Sequence, residues 1–189
     1  MNEKKTPGCT GLAHNYRGFH YLPVLAIMWV FFQSCSSGED KANRPSPFVQ
    51  DSTLVQGQKI KIEYSSPRVK ERVIWGDLVP YDEVWRTGAN EATVFETSVD
   101  LLMSDGLLKK GKYALFTLPG ETDWVIIFNK KWDQWGAYSY DEKDDALRMT
   151  LKPLRGRDFA ERMTFSFEED SLAFHWEYLQ FSIPLQPAN

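Results

Sequence analysis

The residues best suited to chemistry lie between positions 75 and 91. Trp75, Tyr81 and Trp85 supply flat apolar rings, and Arg86, Asn90 and Glu91 follow with a guanidinium, an amide and a carboxylate. Gly76, Pro80 and Gly88 among them mark an irregular connection. Rings beside directional polar groups are the elements of a site for a saccharide or another small polar ligand, because stacking and hydrogen bonding then act on the same molecule. The same residues also fit a structural role. Glu91 lies five positions after Arg86 with Gly88 between them, so an Arg86–Glu91 ion pair would pin the loop, Asn90 would cap its turn, and the rings would form a satellite core. Asp77 or Glu91 offers a general acid or base, but carboxylate catalysis needs two acids in one pocket, one of them with a raised pKa.

A second cluster runs from Phe128 to Arg148. Trp132, Trp135, Tyr138 and Tyr140 could line the same cleft as the first group, although their spacing does not require it. The acids from Asp141 to Asp145 lack the ligand alternation and glycine of a calcium loop, so they read as a solvated turn, with Asp145 and Arg148 as a surface or rim ion pair. His175 sits in the alternating run Leu172, Phe174, Trp176, Tyr178, where it and Glu177 point to the opposite face, a solvated position. No motif calls for a cofactor or a metal.

The elements that must position these residues are short strands. In the run 59–64 the apolar Ile60, Ile62 and Tyr64 alternate with charges, the period of a strand with one wet face. Similar runs follow at 92–98, 112–118, 124–129, 146–151, 161–168 and 172–183, separated by turns at Ser104-Asp-Gly106, Lys110-Gly111, Pro119-Gly120 and 168–171. No segment sustains an apolar stripe at helical spacing. The pattern predicts one all-β domain over 58–189, an antiparallel β-sandwich or jelly roll. Residues 35–57, rich in Ser, Gly, Pro and Asn, read as a flexible tether.

The first 34 residues have the parts of a secretory signal. Lys4, Lys5 and Arg17 stand against Glu3 alone, and the apolar run 22–32 leads through Gln33 and Ser34 to Cys35. A membrane span needs about 20 apolar residues, so this run is too short. A small residue before a cysteine that closes such a run resembles a lipobox, in which the thiol is diacylated after cleavage; two acyl chains give a stable anchor in a lipid bilayer. The acidic pair Glu39 and Asp40 is similar to surface-export signals of some lipoproteins. The expected location is the cell envelope, lipid-anchored to the outer membrane, periplasmic or surface-exposed. Cleavage would remove Cys9, His14 and His20, leaving Cys35 and His175, which excludes disulfides and Cys/His zinc or Cys–His chemistry in the mature domain. The whole chain has a formal charge of -4 from 22 basic and 26 acidic residues; subtracting the first 34 leaves 19 and 25, a net -6. A mildly acidic domain with no basic run has no footprint for nucleic acid.

Taken together, Gly76-Asp-Leu-Val-Pro-Tyr81, Val84-Trp-Arg-Thr-Gly-Ala-Asn-Glu-Ala-Thr93, Gly111-Lys-Tyr-Ala-Leu-Phe-Thr-Leu-Pro-Gly120, Ile126-Ile-Phe-Asn129 and Gln134-Trp-Gly-Ala-Tyr138 resemble the bacterial family called domain of unknown function 2911. The resemblance runs from about Gln58 to Pro184 and implies export and a β-rich domain, with no reaction or ligand attached. Three roles therefore stay open: a binding module for a saccharide or other small polar ligand, a carboxylate-dependent hydrolase, and a structural envelope protein.

Overall fold

The computed structural model describes residues 41–188; the expected signal segment, Cys35 and the acidic pair at 39 and 40 lie outside the described residues. Eleven strands carry the fold: β1 (Phe48–Val55), β2 (Gln58–Ser65), β3 (Thr93–Thr97), β4 (Leu101–Met103), β5 (Gly106–Leu108), β6 (Gly111–Pro119), β7 (Trp124–Asn129), β8 (Asp145–Leu151), β9 (Leu154–Glu168), β10 (Ser171–Pro184) and β11 (Gln186–Pro187). Short 3-10 turns at Lys41–Asn43 and Glu142–Asp144 are the only helical elements among the described residues. No described helix is long and apolar enough to cross a membrane.

Six strands form an antiparallel sheet in the order β1-β2-β3-β6-β7-β8. The order is a meander interrupted only by the β4–β5 hairpin, so of the two architectures expected it is the sandwich that forms. The inner residues of this sheet, among them Ile60, Ile62, Phe95, Leu115, Ile126 and Phe128, are fully buried. They pack in one core with Met163, Phe165, Leu172, Phe174 and Trp176 from the long β9–β10 hairpin, which supplies the second layer. Each such side chain, taken out of water, contributes roughly 1.5–3 kcal/mol. Ring contacts tie the layers: Tyr64 meets Phe165 edge-on at 5.2 Å, and Trp124 lies 5.6 Å from Phe181. The outer face of the sheet is apolar only at its centre, where Ala114, Phe116 and Ile127 are covered by Val84, Ala137 and Tyr140.

Two expectations need correction. The segment read as tether contains β1, which pairs residue for residue with β2 from Phe48 opposite Ser65 to Val55 opposite Gln58. Gln56 and Gly57, at φ of 50° and 79°, form the tight turn between them, the backbone that a two-residue hairpin favours because its twist matches that of the strands. The polar run Gln50, Asp51, Ser52 hid this strand, since only Val55 is fully buried while Val49 packs at the core's edge. In β10, Tyr178 does not share the inner face with Leu172, Phe174 and Trp176. The pairing with β9 shifts register on either side of Glu177, whose φ is +56°. The phase reverses there, so that Leu179, Phe181 and Ile183 turn inward and Tyr178 outward.

Candidate functional site

Residues 66–92, between β2 and β3, are irregular yet firmly held. Trp85 and Thr117 exchange backbone hydrogen bonds at 2.8 and 2.9 Å, Met163 donates to the Pro67 carbonyl at 2.9 Å, and Ala89 donates to that of Ser65 at 3.1 Å. Thr87 is fully buried at φ +52°, a conformation rare for a β-branched residue. Its hydroxyl meets that of Thr117 at 3.2 Å, and its carbonyl accepts from Thr93 Oγ1 at 2.8 Å. The surroundings thus fix a strained turn between Arg86 and Glu91.

Of the rings expected in a site, Trp75 and Trp85 belong to the core. Trp75 lies edge-on to Trp85, Trp124 and Trp176 at 6.1, 4.9 and 5.6 Å, and Trp85 stacks on Trp176 at 5.7 Å. Tyr81 packs against the same core, its ring filling the space where a side chain on Gly76, at φ +85°, would stand. All three rings thus join the main core rather than a satellite of it.

Arg86 and Glu91 do not pair. Glu91 accepts from Arg44 Nη1 at 2.9 Å through Oε1 and 3.0 Å through Oε2, and Lys41 Nζ lies 3.0 Å away. Burial raises the Glu91 carboxyl, but its own backbone N–H, Arg44 and Lys41 outweigh this and hold it at about 2. Asn90, at φ +59°, donates from Nδ2 to the Ser46 carbonyl at 3.3 Å rather than capping its own turn. The turn sends Arg86 and Glu91 into different cavities.

Glu91 opens into a cleft of about 440 Å³ on the outer face of the sheet, shared with Lys41, Glu63, Ser65, Trp132, Gln134 and Trp135. Alternation in β2 places Glu63 outward while Ile62 and Tyr64 face the core. Glu63 is paired with Lys61 and lies 4.0 Å from Lys112. The second wall comes from the loop after β7. An isolated antiparallel bridge joins Glu91 to Trp135, with Ala92 donating to the Gln134 carbonyl and Gly136 to that of Asn90, each at 3.1 Å. Lys112 sits 3.7 Å over the Trp132 ring, whereas Trp135 is 57 % exposed. Ser65 Oγ and Gln134 Oε1, on residues 2 % and 9 % exposed, have no hydrogen-bond partner among the described residues. The remaining predicted residue, Tyr138, is 87 % exposed and does not line this cleft. Tyr140 also turns away: it packs on Phe116 at 5.2 Å and donates to Asp145 at 2.7 Å, and burial together with that carboxylate pushes its phenol well above the usual range. The expected Asp145–Arg148 pair is present at 3.3 Å. His175 Nε2 lies 3.1 Å from the Asp158 carbonyl in an exposed position.

The model of a family described as protein of unknown function (DUF2911) matches residues 46–185. The chain belongs to this family. No curated protein and no solved structure is detectably similar to it. The DUF2911 match starts just before β1, ahead of the boundary expected at Gln58, and so includes the strand that the composition of the segment concealed. It spans every predicted ligand residue from Trp75 to Tyr138, but the two cations on Glu91, Lys41 and Arg44, precede it.

Sequence reasoning missed Lys41, Arg44, Glu63, Ser65 and Gln134 in this DUF2911 domain. Glu63 and Ser65 carried a signal, since the period-2 pattern of 59–64 already turned them to the wet face. Lys41 and Arg44 carried none, because a cation in a Pro- and Ser-rich stretch is indistinguishable from a solvated one until the fold brings a carboxylate to it.

Proposed function

We propose that this DUF2911 chain is an exported lipoprotein, anchored in the outer membrane through acylated Cys35, whose domain binds a saccharide or other small polar ligand in the cleft beside Trp135. The observation that carries the binding reading is the pair of orphaned polar atoms, Ser65 Oγ and Gln134 Oε1, on the wall of that cleft. A buried polar atom without a partner costs about 1–3 kcal/mol, and a ligand hydroxyl, which both donates and accepts, can satisfy either one. Glu63 and Glu91 add acceptors, and the exposed Trp135 ring adds a face for stacking. The cleft volume falls in the range of about 300–1,000 Å³ usual for small-molecule sites. A hydrolase would need a carboxyl kept protonated near neutral pH, and Glu91 is pulled the other way, so its role is that of an acceptor.

Calorimetric titration of the purified protein with a panel of neutral mono- and disaccharides and polyols tests this reading. At least one should bind saturably, and Trp135→Ala should weaken it tenfold or more while leaving the melting temperature within about 1–2 °C, as befits a surface ring. Absence of binding across the panel, or binding that Trp135→Ala leaves intact, would remove the cleft as the site.

A further inference from the structure

A smaller cavity, of about 170 Å³, has the opposite hydrogen-bonding character. Its polar side chains are Ser46, Arg72, Trp85, Arg86 and Trp176, and no carboxylate lines it. Trp85 Nε1 is already used, donating to the Gly88 carbonyl at 3.2 Å. Trp176 is only 1 % exposed, and its Nε1 is buried with no partner among the described residues. The same is true of Arg86 Nε. Arg72 stands with its Nε on the Val69 carbonyl at 3.0 Å and a terminal nitrogen on that of Arg68, which fixes the direction of its guanidinium. Apart from the Ser46 hydroxyl, the spare side-chain groups are therefore donors and positive charge, with no carboxylate among the described residues set against them.

We propose that this cavity binds a small oxyanion, the carboxylate or phosphate group of a ligand, through Arg86 and the Trp176 indole N–H, with Arg72 as a second cation. The site lies outside the Trp135 cleft and needs no part of its ligand. Its volume is below the roughly 300 Å³ at which ordinary small-molecule pockets begin, which suits a single anionic group better than a sugar ring. Arg86 is half-buried with its Nε out of water, and an oxyanion that accepts from it supplies a counter-charge together with the missing acceptor. Burial lowers the Arg86 pKa, against a smaller opposing effect of Tyr138. The strained turn at Thr87, locked by Thr117 and Thr93, holds the backbone next to Arg86 in place before any ligand arrives.

The test uses the full chain in a non-ionic detergent, titrated with inorganic phosphate and separately with acetate, at an ionic strength held constant with sodium chloride. One or both anions should raise the melting temperature saturably by a few degrees where chloride does not. Saturation by phosphate alone assigns a phosphoryl group, by acetate alone a carboxylate, and by both a general oxyanion site. Arg86→Gln should weaken the response at least tenfold, and Trp176→Phe, which keeps a ring in the stack but removes the donor, several-fold. If Arg86→Gln does not fold, Trp176→Phe decides. Trp135→Ala and Glu91→Gln should leave the anion response unchanged, so failure of the sugar cleft and failure of this site are separate results. No stabilisation beyond that of chloride, or a response that survives every folded variant at the cavity, would overturn the proposal.

Discussion

Glu91 is held by Arg44, 47 positions before it, and not by Arg86, its nearer candidate. The reason is local: residues 87 and 90 both adopt left-handed backbone, and the resulting turn separates the two side chains that sequence spacing would bring together. The Arg44–Glu91 pair is partly buried, at 12 % and 28 % side-chain exposure, and is bonded through both carboxylate oxygens. A double-mutant cycle on Arg44 and Glu91 should therefore show a coupling of about 1–2 kcal/mol, above the value of an exposed pair. The same cycle on Arg86 and Glu91 should be additive within about 0.5 kcal/mol, as for independent sites. The pH dependence follows from the sign of the shift. The Glu91 pKa falls from 4.5 to about 2 on folding, so its contribution is complete above pH 4.5 and disappears as pH falls toward 2. Wild type and Glu91→Gln, compared by chemical denaturation, should differ at pH 7 and converge near pH 2. A constant difference across that window would contradict the assigned partners.

At the scale of the element, the two corrected strands make sharper predictions than those read directly from alternation. Glu177 sits where two inward runs of opposite phase meet, Leu172 to Trp176 and Leu179 to Ile183. Deleting Glu177 would put both runs in one phase but draw Leu179, Phe181 and Ile183 one residue out of register with β9, so the deletion variant should melt at a lower temperature than wild type in a thermal scan. Glu177→Gly keeps the count and relieves a left-handed backbone that costs a non-glycine residue roughly 1 kcal/mol, offset by loss of the 3.6 Å approach to Arg155. Its stability should therefore stay within about 1 kcal/mol of wild type. For β1, eight residue pairs with β2 mean that a chain begun at Gln58 exposes the length of β2 as an edge. Measured by denaturant unfolding, that truncation should be less stable by several kcal/mol than one begun at Gly38, and more prone to associate. β1 thus belongs to the domain because of its partner and not because of its own composition.

For the molecule as a whole, the sandwich sets two cavities of opposite polarity into one domain: a larger, acceptor-rich cleft over the outer face of the sheet and a smaller, donor-rich one beside the Trp85–Trp176 stack. A domain of this kind on an acylated N-terminus would present both at a membrane surface, and the anchor is testable by itself. Cys35→Ala should abolish fatty-acid labelling and leave the chain as an unprocessed precursor or move it out of the membrane fraction. Unchanged size and labelling would rule Cys35 out as the modified residue.

The all-β class and seven of the strands were legible in the amino-acid sequence, because a strand with one dry face writes its burial as a period of two, as in Ile60, Ile62 and Tyr64. Family membership was legible too, in the run from Trp85 to Thr93. Residue types in that run correctly marked an unusual loop, but type does not encode depth: Trp75 and Trp85 became core, while Trp135, similar in kind, stayed exposed. Only the tertiary structure could decide which strand β1 joins, which carboxylate meets Arg44, and which polar atoms remain unsatisfied. Each of these depends on residues far apart in the chain, and pairing energies between distant residues leave no periodic trace in either partner alone.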